Sequence, residues 1–116
     1  MKIVILGGGS IGGSVASELS TEENDVIVID NNQENLDLLS TKEGILTING
    51  NASSPSTLKK ANLDTDTLLL CLTDSEEVNL LASIVAKSKF NVGKIVCRLI
   101  GSDYENISAE IASGVD

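Results

Sequence analysis

Histidine and tryptophan are absent from this 116-residue chain. Without an imidazole, Ser-His-Asp and Cys-His catalysis are excluded, and a zinc site is disfavoured. Aromatic side chains are nearly absent as well, with Phe90 and Tyr104 standing alone. The core must therefore be Ile, Leu, Val and Ala, as suits a parallel sheet covered by helices on both faces. The two cysteines, Cys71 and Cys97, each sit inside an apolar, strand-like run, and no Cys-x-x-Cys is present. They are expected as buried, reduced thiols of a cytosolic protein. Basic charge is scarce: 8 Lys and Arg against 17 Asp and Glu leave a formal net charge of −9. No basic patch offers itself to a phosphate backbone, so nucleic acid is not expected as a partner. No stretch approaches the ~20 apolar residues of a membrane span. The apolar run after Lys2 breaks at three glycines, well short of a secretory signal. Direct membrane insertion is therefore not expected, and the length suits one domain spanning 1–116.

What is present is concentrated in residues 1–30. Lys2-Ile3-Val4-Ile5-Leu6 reads as a fully buried strand. Gly7-Gly8-Gly9-Ser10-Ile11-Gly12 satisfies G-x-G-x-x-G, and a helix is predicted after it with Ile11, Val15, Ala16 and Leu19 on its inner face. Val26-Ile27-Val28-Ile29 makes a second strand ending on Asp30. Gly7 permits a tight strand-to-helix turn, Gly9 lets a pyrophosphate approach the backbone, and Gly12 lets helix and strand pack closely. The unpaired N–H groups at the helix start, reinforced by the helix dipole, make an anion site. Asp30 falls eighteen residues after Gly12, where a dinucleotide-binding unit places the carboxylate that accepts from a ribose hydroxyl. The bland alternatives are a glycine turn used only for packing and a solvated acid at a strand end.

Along the rest of the chain, Asn31 and Asn32 are good N-caps for a helix to about Ser40, with Leu36, Leu38 and Leu39 as apolar positions. Asn31, adjoining Asp30, is grouped with the binding residues. Ile45–Ile48 is a third strand. Ser54 and Pro55 read as N-cap and first residue of a short helix, and Asp66–Leu72 is the fourth strand. Thr73-Asp74-Ser75-Glu76-Glu77 carries two overlapping capping boxes, Thr73 with Glu76 and Asp74 with Glu77. The following helix reaches about Ser88, with Val78, Leu81, Ala82 and Val85 inward. Lys94–Ile100 is a fifth strand, and a last helix starts at Ser102 with Tyr104, Ile107 and Ile111 inward and Gly114 as C-cap. Strand alternates with helix five times. The expectation is an α/β, doubly wound, Rossmann-like parallel sheet of order 3-2-1-4-5 in three αβα layers, its ligand at the switch between strands 1 and 4. Arg98, the chain's single arginine, lies in an otherwise apolar strand. Burial would demand an anionic partner, either a ligand phosphate or a carboxylate.

Taken in order, Met1 to Gly9, Val28-Ile29-Asp30, Asn49-Gly50-Asn51-Ala52-Ser53, Leu72 to Asn79 and Val96-Cys97-Arg98-Leu99 resemble the TrkA N-terminal, or RCK, domains. The resemblance covers essentially the whole chain. It implies a cytoplasmic, non-enzymatic nucleotide sensor, for NAD(H) or ATP/ADP, working beneath a membrane potassium transporter or channel subunit. Homodimers and possibly higher rings are implied as well. Carried across residue by residue, Gly7, Gly8, Gly9, Ser10 and Ile11 would form the phosphate loop. Asp30 would hold the adenosine ribose, Asn51 and Ala52 would flank adenine, and Thr73, Asp74 and Arg98 would face the far half of the ligand. ATP-preferring relatives often carry arginine where this chain has Ser10, which favours NAD(H). The family's last strand and C-terminal subdomain are expected to be missing. Two other functions fit the glycine motif: the cofactor half of an NAD-dependent oxidoreductase, and an assembly module whose nucleotide is permanent. No catalytic or metal-ligating residue is assigned.

Overall fold

The β-branched and leucine runs separated by glycine turns pair side by side, as a covered parallel sheet requires. The computed structural model describes residues 1–99. They form β1 (Lys2–Leu6), α1 (Ser10–Leu19), β2 (Asp25–Asp30), α2 (Gln33–Ser40), β3 (Ile45–Asn49), α3 (Pro55–Lys60), β4 (Leu68–Cys71), α4 (Glu76–Phe90) and β5 (Lys94–Cys97). All pairings are parallel and the order is β3-β2-β1-β4-β5. The expected doubly wound sheet is therefore present. Central β1 is paired on both sides, Ile5 opposite Val28 on β2 and Leu70 on β4.

The sheet divides the core in two. Ile3 and Ile5 pack with Val26, Val28, Leu36, Leu39 and Ala16 beneath α1 and α2. Val4 and Leu6 pack with Leu58, Leu69, Ala82 and Ala86 beneath α3 and α4. A strand that reads as a continuous apolar run thus still alternates its faces. The three αβα layers follow from that alternation.

Several expected inward positions point out instead. Ile11 and Leu81 are 43% and 50% exposed; on α2, Leu36 and Leu39 are buried while Leu38 between them is exposed. The buried residues of α1 are Gly12 and Ala16, and those of α4 are Asn79, Ala82, Ser83 and Ala86. These helices lie close to the sheet on their small side chains, so the large apolar residues one step around the helix are displaced to its flank. Strand β4 starts at Leu68, later than expected. The Asp64 carboxylate accepts from Asp66 N–H and the Thr67 hydroxyl at 3.0 and 2.9 Å, a local turn that competes with strand pairing. That hydroxyl, above all, holds the Asp64 carboxyl below its usual range. The α4 cap is Ser75, whose hydroxyl accepts from Val78 N–H at 3.2 Å. Thr73, the cap of one predicted box, is bound to Asn79 instead, and Asp74, the cap of the other, gives way to Ser75. Of the two asparagines after β2, Asn32 is the cap of α2. Ser54 precedes Pro55 as expected but makes no side-chain cap bond. Ile100, Ser102, Tyr104, Ile107, Ile111 and Gly114 lie outside the described residues.

Candidate functional site

Where the strand order reverses, the connections leaving β1 and β4 diverge, one to α1 and the other to α4. A crevice opens beyond the strand ends between them. Here it is a cleft of about 480 Å³. Its walls include Gly7, Gly9, Ser10, Ile11, Gly12, Asp30, Asn31, Asn51, Ala52, Thr73, Asp74 and Arg98. Every residue grouped as binding from the sequence lines it except Gly8, which is buried behind the loop.

The glycines of the loop have separate physical duties. Gly7 has φ +106°, and a Cβ there would also crowd the backbone of Leu72 and Thr73 at 3.0 Å. Gly12 stacks on the turn itself, so that a Cβ would overlap the Gly7 carbonyl oxygen, whereas the nearest β1 side chain, Ile5, lies 3.6 Å away. The close approach that Gly12 permits is thus helix to turn more than helix to strand. Gly9 has nothing within 4 Å of its Cβ position. It is also the N-cap of α1, with φ −74°. The opening N–H groups of α1 have no intrahelical acceptor, and the positive end of the helix dipole lies beside that open floor. An anion such as a phosphate fits there.

Asp30 closes the β2 side of the cleft. One carboxylate oxygen accepts from Gly8 N–H at 2.6 Å and Asn35 Nδ2 at 3.3 Å, and the other from Asn32 N–H at 2.9 Å. Asp30 therefore braces the glycine loop against the start of α2. An ionised carboxylate offers about four lone-pair sites, so one further donor, such as a ribose hydroxyl, can still be accepted. Sequence reasoning missed Asn35, which lines the cleft one turn into α2. The sequence offered only the cap: with Asn32 as N-cap, Asn35 falls in the first turn of α2, where its N–H donates to Asn32 Oδ1 at 3.1 Å.

At the opposite wall, Arg98 follows β5 and donates from Nη1 to the Thr73 carbonyl at 3.3 Å. The arginine is half-buried rather than enclosed. Ser75 and Val78 complete this side, and neither was expected from the sequence. The cysteines do not line the cleft. Cys71 lies against Ser83 beneath α4, where burial pushes its thiol up to about 12; burial raises the Cys97 thiol too. Thiols held protonated are poor nucleophiles. Among the described residues no group of three or more His, Cys, Asp or Glu could hold a metal ion. No helix among them is long and apolar enough to cross a membrane. The arrangement can bind an anionic, hydroxyl-bearing ligand along its length.

Comparison with known proteins bears on the family and the fold. The family model of the TrkA-N domain matches residues 3–116. Curated relatives include the Trk system potassium uptake protein TrkA of Vibrio alginolyticus, 38% identical over 90% of this chain, and that of Halomonas elongata, 36% identical over 90%. The chain spans 23% of each of those two proteins. An archaeal TrkA homolog from Methanothermobacter thermautotrophicus is 29% identical over all of this chain and 52% of its own. Among solved structures, the NAD(P)-binding domain of an exopolyphosphatase-related protein from Archaeoglobus fulgidus superposes with a TM-score of 0.80 at 19% identity, covering 97% of this chain and 84% of that one. An oxidoreductase from Lactococcus lactis superposes at 0.64 with 17% identity, over 97% of this chain and 58% of that one. At such identities the likeness is one of fold.

Proposed function

The chain belongs to the TrkA-N domain family, and from that membership and the shape of its cleft we propose that it is a cytoplasmic, nucleotide-sensing regulatory domain of a potassium uptake system. NAD(H) is the preferred ligand, with ATP or ADP as the competing class. The observation that carries the reading is the pairing of two features at the topological switch: an open Gly9 floor at the α1 N-terminus, and the Asp30 carboxylate at the end of β2. A pyrophosphate suits the first and a ribose diol the second. In this reading Gly7, Gly9, Ser10, Ile11 and Gly12 shape the phosphate loop, with Gly8 behind them. Asp30 and Asn31 hold the ribose, Asn51 and Ala52 flank the base, and Thr73, Asp74 and Arg98 meet the far half. Ser10 brings no positive charge, which favours a dinucleotide over the more highly charged triphosphate. The domain senses ligand and performs no chemistry of its own. Its effect reaches a membrane potassium transporter through homodimers or rings that respond to the bound nucleotide, and it sits at the inner face of the membrane through that partner.

Ligand choice tests the assignment. Asp30 accepts from a free 2′-hydroxyl and repels a 2′-phosphate, a difference of ~1–3 kcal/mol once the lost hydrogen bond is included. Calorimetry should show NADH binding at least about tenfold tighter than NADPH, and Asp30→Ala should narrow the gap. Equal affinities in the unaltered chain would remove Asp30 from the site. NADH mixed with a panel of carbonyl substrates should keep its absorbance, because hydride transfer needs a proton donor beside the nicotinamide. Turnover abolished by Gly9→Val would restore the oxidoreductase reading.

A further inference from the structure

Asn79 stands in the buried stripe of α4 with Ala82, Ser83 and Ala86, at 0% exposure. An apolar residue would serve packing there, since burying an amide is unfavourable unless all its hydrogen bonds are made. They are made, and they run to two residues only. Asn79 Oδ1 accepts from Thr73 N–H at 3.1 Å and from the Thr73 hydroxyl at 2.6 Å. Its Nδ2 donates to the Thr73 carbonyl at 3.1 Å and the Arg98 carbonyl at 2.9 Å. One side chain thus grips Thr73 on both sides of its backbone, much as a neighbouring strand would. Arg98 is pinned at both ends as well, because its own N–H donates to the Cys71 carbonyl at 3.0 Å. Thr73 and Arg98 both line the cleft, and Asn79 does not.

We infer that Asn79 is a positioning residue for the far wall of the cleft: it fixes Thr73 and the Arg98 backbone so that the guanidinium is aimed at the diphosphate and second nucleoside of a dinucleotide. The inference rests on the nucleotide reading above and adds a residue that acts without touching ligand. The Arg98 side chain supports it. Its contact with Thr73 is long, 3.3 Å, and made to a neutral carbonyl. A charge-assisted bond to a phosphate oxygen is roughly twice as strong as a neutral one. The guanidinium therefore turns to an arriving phosphate while its backbone stays where Asn79 holds it. Without the amide, the loop after β4 and the chain after β5 are no longer tied together, and the arginine loses its aim.

The test compares a ligand that spans the cleft with one that fills its near half. Unaltered chain, Asn79→Ala and Asn79→Asp are titrated calorimetrically with NADH and with AMP, alongside melting curves. Asn79→Asp keeps the volume and the Oδ1 acceptor but turns a second acceptor oxygen on the two carbonyls, breaking both contacts by repulsion without leaving a cavity. The melting curves establish which of the two variants is folded, and that one is read. NADH affinity should fall about ten- to a hundredfold in the variants, while AMP affinity stays within about twofold, because AMP draws on the Gly9 floor and the Asp30 carboxylate and does not reach Arg98. Equal losses for NADH and AMP would make Asn79 a residue of the fold alone, and unchanged NADH binding would leave it no role; either result overturns the inference and spares the nucleotide reading. An unaltered chain that binds neither ligand would overturn both.

Discussion

The glycines of the loop look alike as residues but differ in what their neighbours allow. Gly12 has no room for a methyl group, since a Cβ would overlap the Gly7 carbonyl. Gly12→Ala should therefore lower stability by about 1–3 kcal/mol, read as a lower chemical-denaturation midpoint. Gly9 has an ordinary φ of −74° and open space around its Cβ position. Gly9→Ala should leave stability unchanged or raise it by about 0.4–1 kcal/mol through the unfolded chain. It should nevertheless weaken NADH binding, because the methyl occupies the floor where the phosphate lies. A Gly9→Ala protein that melts as before and binds as before would show that no phosphate sits on that floor. Asp30 is likewise more than a ligand candidate: its bonds to Gly8 and Asn32 N–H make it a brace of the loop. Asp30→Ala should thus cost some stability as well as selectivity.

At the level of elements, α1 and α4 bury their small side chains, which displaces Ile11 and Leu81 from the positions that apolar periodicity favours. The start of α4 carries a similar lesson. Thr73 and Asp74 have good capping spacing, but Thr73 is taken up by Asn79, and the cap passes to Ser75. Ser75→Ala should then destabilise the domain by about 1 kcal/mol, a fall of about 4–8 °C in melting temperature for a domain of roughly this size. Asp74→Ala should have little effect, since its side chain is exposed and caps nothing. A larger effect of Asp74→Ala than of Ser75→Ala would move the cap back to where the sequence pattern puts it.

For the whole molecule, the proposal that ligand state reaches a transporter requires an assembly that the ligand can bias. A nucleotide shifts an arrangement of subunits only if it binds one arrangement better than the other. The full chain should form a homodimer in solution whose scattering profile changes when NADH is added. Tyr104 and Ile107, apolar residues of the last helix expected from the sequence, lie outside the described residues. We propose them as an interface between copies where the sheet leaves them uncovered, and Tyr104→Glu and Ile107→Glu test this directly, monomers that still bind NADH being the anticipated outcome. A chain that stays monomeric when concentrated, with one scattering profile in the presence and absence of NADH, would remove the assembly step and leave the binding step standing.

Strand sequence, sheet order and the location of the cleft were determined locally. Runs such as Lys2–Leu6 and Val26–Ile29 alternate with helical stretches at short spacing, and right-handed crossovers leave one economical way to wind them. The site residues at the strand ends follow from that winding, because a switch point must lie beyond β1 and β4. Only the tertiary structure decided which side chains touch. Nothing near Thr73 in the chain marks Asn79 as its partner or brings Arg98 back to it; α4 and β5 do so by packing on β4. Asn35 meets Asp30, and Gly12 meets Gly7, each five residues along, where strand turns into helix. Local sequence carries propensity and period, whereas hydrogen-bond partners depend on how the segments are packed, whether they lie six residues apart, as Thr73 and Asn79 do, or twenty-five, as Thr73 and Arg98 do.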